Sequence, residues 1–372
     1  MERIIFIAGV RFHIPKIVAS LRNKYNIKII STVPRRFFKL NKNEKYTFIP
    51  MLFKILSKIM GYKSFEFEKK IDNTIFRYLS KFVKVEKCDI LYSCSSYAHD
   101  IFLKSNKNLK ILDVANIHVM DAEILLKNEY AKFNIKYKLN QFIKKIQLQE
   151  YRLADKIIVP SHRSYLSFIN NNIDKSKLVK GFFIQLNQEP SFKKKLKIGN
   201  NIKLGYIGGN VVIKGLFYLL KALQNTSNTN LTLNLCLPYS YIEENTFLRQ
   251  EYNEKIMSCL GFTDNMDKFY SSIDYLVVPS ISDGFAQVVI ESLSRNIPVI
   301  CSDAVGSSEY LDINYGHIFE SQSVMQLTNI LDKINVNELN SKITSISHNI
   351  NFLKKKIEDD QKEIIEILKK NH

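Results

Sequence analysis

Along the chain, short runs of β-branched and aliphatic residues alternate with longer stretches in which apolar positions recur every three or four residues. Strand-like runs fall at 3–8, 27–32, 89–93, 110–115 and 156–160 in the first half, and at 203–207, 231–236, 274–279, 298–302 and 317–319 in the second. Strands that alternate with amphipathic helices form βαβ units, hence parallel sheets covered by helices on both faces. Two successive α/β domains are therefore predicted, at 1–190 and 200–345, with the basic stretch around 189–201 as linker. The polar, charged segment 346–372 reads as a surface helix. The longest apolar runs are strand-length, well short of the roughly 18 residues that span a bilayer. The first apolar run is cut off at once by Arg11 and lacks a small-residue cleavage site, so it does not read as a secretory leader.

Charge separates the halves more sharply than hydropathy does. Residues 1–190 hold 35 Lys and Arg against 16 Asp and Glu, whereas residues 191–372 hold 19 against 20, so the first half carries all of the net +18. Nine of the twelve glycines lie in the second half between Gly199 and Gly316. Such asymmetry predicts two domains with different partners. The five scattered cysteines show no C-x-x-C spacing, which argues against a disulfide framework or a structural zinc site and points to a reducing, cytoplasmic setting.

Two stretches of the second half carry candidate chemistry. In "YIGGNVVIKG" a predicted strand ends at Gly208 and Gly209, and Lys214 precedes a predicted helix. Glycines at a strand end let a ligand approach the backbone, and a lysine at the next helix start offers a point charge to phosphate. The spacing matches neither a dinucleotide-binding glycine fingerprint nor a Walker loop. In "SDGFAQVVIESLSRNIPVICSD" a helix is predicted from about Phe285 to Arg295, ending at Asn296 before Pro298. Asp283 and Glu291 admit two readings. In one, Asp283 or Ser282 caps the helix and Glu291 pairs with Arg295 on the surface. In the other, amides around Phe285, Ala286 and Gln287 face the crevice beyond the strand, where open α/β sheets bind ligands. Asp283 and Glu291 then contact a sugar and a ribose.

The second stretch resembles the signature of the family four (group 1) retaining glycosyltransferases of the GT-B fold, roughly E-G-F-G-x-x-x-x-E-A followed by G-x-P-V-I-x-[ST]-D. "YRLADKIIVPS" at 151–161, "YIGGNVVIKG", "FTDNMDKFYSSIDYLVVPS" at 262–280 and "GSSEYL" at 306–311 are similar to companion motifs, in the family's order. The resemblance implies two Rossmann-like domains facing each other across a cleft, with the C-terminal helix packing back toward the first. It implies a nucleotide-sugar donor held by Gly208, Gly209, Lys214, Gly284, Phe285, Ala286, Gln287 and Glu291, and Asp283 orienting the donor sugar. Transfer would retain anomeric configuration and need no fixed metal or cofactor. The chain departs from the pattern in having Asp283 for glutamate, Gly209 for the usual arginine, and Ala286 and Asn296 for glycines.

In the first half, His118 follows a predicted strand, and the resemblance places a catalytic-site histidine in a similar loop. Gly9, Arg11 and His13 follow the first strand and form a further candidate for the acceptor or donor-sugar cleft. Residues 34–85 interleave Lys and Arg with aromatics, and Phe48, Met51, Leu52, Ile55, Leu56 and Ile59 with Lys54 and Lys58 read as a basic amphipathic helix. Such a helix suits an anionic membrane surface better than nucleic acid, and a core helix whose lysines reach out to solvent is a third reading. The expected function is glycosyl transfer from a nucleotide-sugar to a glycan or lipid-linked acceptor, in polysaccharide synthesis at the inner face of the cytoplasmic membrane. Two alternatives stand beside it: another GT-B enzyme such as a nucleotide-sugar epimerase, and a catalytically weak basic protein that binds a membrane or nucleic acid.

Overall fold

The computed structural model describes residues 3–8, 14–21, 25–31, 45–48, 74, 78–79, 82, 84–86, 89–105, 107–137, 139–181 and 190–369. Two parallel sheets dominate it. The first comprises β1 (Arg3–Ala8), β2 (Asn26–Ser31), β3 (Lys45–Phe48), β4 (Ile90–Cys94), β5 (Leu109–Asp113), β6 (Lys156–Val159) and β7 (Leu178–Lys180), in the order β3-β2-β1-β4-β5-β6-β7. The second comprises β8 (Ile202–Ile207), β9 (Leu231–Cys236), β10 (Met257–Cys259), β11 (Tyr275–Val278), β12 (Val299–Ser302) and β13 (Gly316–Phe319), in the order β10-β9-β8-β11-β12-β13. β4, β11 and β12 are buried along their whole length, as strands covered on both faces must be. In each sheet the strand order reverses once, between β1 and β4 and between β8 and β11. There the loops that follow adjacent strands diverge and leave a crevice.

One hydrophobic core fills the first domain and two fill the second. The linker is laid onto the second domain: Lys194 and Lys197 converge on the buried Asp274 at 2.9 and 2.6 Å. The C-terminal helix begins earlier than predicted and runs Val336–Lys369. Ile346, Ile350, Leu353 and Ile357 pack one of its faces on the second domain, while Ile364 enters the first domain's core beside Gly181. The helix thus crosses back as the resemblance implies. Phe48 belongs to strand β3, not to the predicted basic helix. The rest of that helix lies outside the described residues. No described helix is long and apolar enough to cross a membrane.

Candidate functional site

The second domain's crevice is built by backbone contacts that only glycine permits. After β8 the chain turns through Asn210, whose carbonyl accepts the Lys214 N–H at 2.8 Å and whose side chain accepts the Ile213 N–H at 3.1 Å. Gly215 then opens the helix Leu216–Asn225 with φ +65°, and a Cβ there would stand 1.9 Å from the Pro279 carbonyl oxygen. Gly208 lies against the stem of Lys214, where a Cβ would come within 2.9 Å of its Cγ. Gly209, which replaces the family's arginine, meets no such crowding. The nearest group to a Cβ there is the ring of Phe262 at 3.8 Å, itself 58% exposed.

Lys214 and Asp283, read from separate motifs, meet in an ion pair. The other carboxylate oxygen of Asp283 accepts the Ala286 N–H at 2.9 Å, and its backbone is tied to Ala304 and Gly306. Asp283 therefore stabilises the loop before the helix while presenting its charge to Lys214. The helix runs Gln287–Leu293, shorter than predicted, because Ala286 takes a left-handed conformation at φ +55°. Asn296 does the same at φ +57° beyond its other end. In the signature that this stretch resembles both positions are glycine, and the left-handed backbone explains that preference.

Phe285 is buried against Tyr310. Gln287 is half-buried in the first turn. Glu291 is also half-buried, and its carboxylate accepts the Tyr270 hydroxyl at 3.2 Å. The predicted surface pair with Arg295 is not formed through that carboxylate. The Arg295 guanidinium instead reaches Asp267 at 2.6 and 2.9 Å, lies over the Tyr270 ring, and donates to the Glu291 carbonyl.

The first domain meets this loop edge on. A Cβ on Gly284 would stand 2.1 Å from the carbonyl oxygen of Ala115, just beyond β5, and the Ser282 hydroxyl donates to Asn116 at 3.2 Å. Gly306 packs in turn on the Gly284 carbonyl and Ser161. A crevice of 540 Å³ between the domains lies alongside, lined by Ile117, Asp121, Arg163, Leu166, Asp303 and Glu309 among others.

His118 sits where the sequence places it, but the residue is only 2% exposed. Nδ1 accepts the Met120 N–H at 3.4 Å, the cap of the helix Val119–Lys132, and the ring packs between Tyr151 and Phe168. Burial lowers its pKa to about 4, with Asp121 offsetting part of the shift, so the ring is neutral at pH 7. Nearby, the buried Glu150 accepts N–H groups from Ser96, Ala98 and His99, filling the turn after β4. Gly9, Arg11 and His13 lie outside the described residues.

Asn116 carries no local sequence signal. Tyr270 and Glu309 lie in stretches that resemble companion motifs, but their partners come from distant segments. Tyr206 lies under Gly208 with a buried hydroxyl that has no hydrogen-bond partner among the described residues.

Comparison with known proteins agrees with this geometry. Residues 187–351 match the sequence profile described as Glycosyl transferases group 1. Protein CapJ of Staphylococcus aureus is 24% identical over 148 residues, covering 38% of this chain and 37% of CapJ. A second curated relative is matched over 35% of its length, so the chain spans little more than a third of the curated relatives it matches. The crystal structure of Anabaena Alr3699/HepE in complex with UDP and glucose superposes with a TM-score of 0.65 at 15% identity, covering 97% of this chain and 100% of that one. That of WaaG, a glycosyltransferase involved in lipopolysaccharide biosynthesis, gives 0.64 at 12% identity, covering 94% and 95%. Residues 187–351 thus match the group 1 glycosyl transferase profile, within a chain that has the GT-B fold.

Proposed function

We propose that the protein transfers a sugar from a nucleotide-diphosphate donor to a glycan or lipid-linked acceptor in cell-surface polysaccharide synthesis, with retention of configuration and without a fixed metal. The observation that carries this reading is the Lys214–Asp283 pair at the β8–β11 reversal, with Glu291 on the helix that follows. UDP, bound by the HepE neighbour, is the first donor nucleotide to test.

In this account the donor diphosphate draws Lys214 away from Asp283, and the ammonium opposes the charge that develops on the leaving diphosphate. Asp283, freed from the lysine, accepts hydrogen bonds from the donor sugar. Glu291, braced by Tyr270, accepts those of the ribose. The C1–oxygen bond to the diphosphate breaks with its electron pair on the leaving oxygen. The acceptor hydroxyl bonds to C1 and gives up its proton to that phosphate. The neutral, sealed His118 supports the loop that meets Gly284. The basic residues 34–85 supply the contact with an anionic membrane surface.

The test is transfer of labelled sugar from a panel of nucleotide-sugars to lipid-linked glycan acceptors, run with and without EDTA. Loss of one charge-assisted contact costs about 1.5–3 kcal/mol, so Lys214→Ala should lower kcat/KM by roughly 10- to 150-fold. Glu291→Ala should act mainly through donor KM. Unchanged transfer by both variants would remove the site assignment.

A further inference from the structure

Away from the donor crevice, the domains are also joined by a buried carboxylate. Glu129 lies on the first domain's helix Val119–Lys132 and is fully buried. One oxygen accepts the hydroxyl of Tyr218 at 2.7 Å; the other accepts the side-chain amide of Gln322 and the Lys132 ammonium, the latter at 2.9 Å. Tyr218 and Gln322 belong to the second domain. Beside this group Phe133 of the first domain stacks on Phe247 of the second at 4.1 Å and meets Phe217 edge-on at 5.2 Å.

Two features make this more than an ordinary interface contact. A carboxylate sealed from water must have its oxygens satisfied, and parting the domains would strip two of its three donors at once. The arrangement therefore favours one closure angle over its neighbours. Gln322 holds its amide there from a left-handed backbone, φ +69°, a conformation that costs a non-glycine residue about 1–2 kcal/mol. Strain of this kind persists where the surrounding structure requires it.

The two helices concerned lead back to the site. The Glu129 helix begins after His118, next to the loop whose Ala115 carbonyl abuts Gly284. The Tyr218 helix begins at Gly215, immediately after Lys214. We propose that Glu129 is an interdomain positioning residue: its grip by Tyr218 and Gln322 sets the angle at which the loop 115–118 meets Gly284 beside Asp283. Its kinetic consequence rests on the glycosyl-transfer reading, but its effect on domain closure does not.

Single-molecule FRET between fluorophores on unnatural residues at the exposed positions 103 and 313, one in each domain, tests it in the full-length protein. Wild type should show one closed population. Tyr218→Phe should add a second, more open one. Gln322→Gly removes the amide and relieves the left-handed strain together, so it should open the domains while the thermal midpoint holds or rises. In labelled-transfer assays kcat should fall about tenfold in both variants, roughly 1.4 kcal/mol. A FRET distribution unchanged in Gln322→Gly, or opening that appears only alongside lost thermal stability, would overturn the proposal. Opening in Gln322→Gly together with full transfer by Lys214→Ala would instead uphold the clamp and remove the donor-site assignment.

Discussion

Both domains place titratable residues beyond the carboxyl ends of parallel strands, yet they treat them in opposite ways. In the second domain Lys214 and Asp283 keep 33% and 14% of their side chains exposed and, among the described residues, pair with each other and one backbone amide. In the first, His118 and Glu150 are sealed, with backbone N–H groups and aromatic rings occupying their surroundings. Strand-end position is thus not enough to make a site. In the second domain glycines at 215, 284 and 306 let backbone segments pack closely and so fix the loops that carry Lys214 and Asp283. The first domain's described edge is filled by Tyr151, Phe168 and Ser167, so its polar groups act on the fold.

Three substitutions test this contrast. The largest effect is expected for Gly215→Ala, which combines a left-handed backbone with a Cβ 1.9 Å from the Pro279 oxygen. Together these should lower stability by about 3 kcal/mol, read from the urea midpoint. A loss below about 1 kcal/mol would mean the edge relaxes and that the close approach at Gly215 is not what fixes it.

For His118 the effect depends on pH. Its folded pKa, about 4, lies below the ordinary 6.5, so the unfolded chain takes up the proton first. Stability present above pH 6.5 is therefore lost as pH falls toward 4, by about 3 kcal/mol. His118→Asn keeps a capping side chain and should flatten that limb in denaturant titrations across pH. An unaltered limb would show that the ring is more open than its burial indicates. The smallest effect is expected for Ala286→Gly, which should stabilise by about 1 kcal/mol by relieving φ +55°, measured as a rise in the midpoint.

How much of this was legible in the sequence follows the same division. Buried central strands announced themselves as aliphatic runs. β3, β7 and β10 did not, because "KYTF", "LVK" and "MSC" are short edge strands with less apolar surface to bury. Lys214, Asp283 and Glu291 were legible because each sits in a motif with a backbone requirement around it. Their partners were not: nothing local couples Glu291 to Tyr270 or Asp283 to Lys214. The departures at Ala286 and Asn296 were legible as residues, and the structure shows that both take the left-handed backbone glycine would suit. His118 was placed correctly along the chain, but its burial depends on rings from later helices. The clamp at Glu129 had no local signal, since its partners come from separate elements of the other domain.

On the proposed function, Lys214 and Asp283 exchange each other for a nucleotide-diphosphate donor. Calorimetric titration of UDP into wild type and Lys214→Met tests it most directly, since it needs no acceptor. Wild type should bind saturably and the variant at least tenfold more weakly, roughly 1.4 kcal/mol or more. Equal affinity in the two proteins would contradict it.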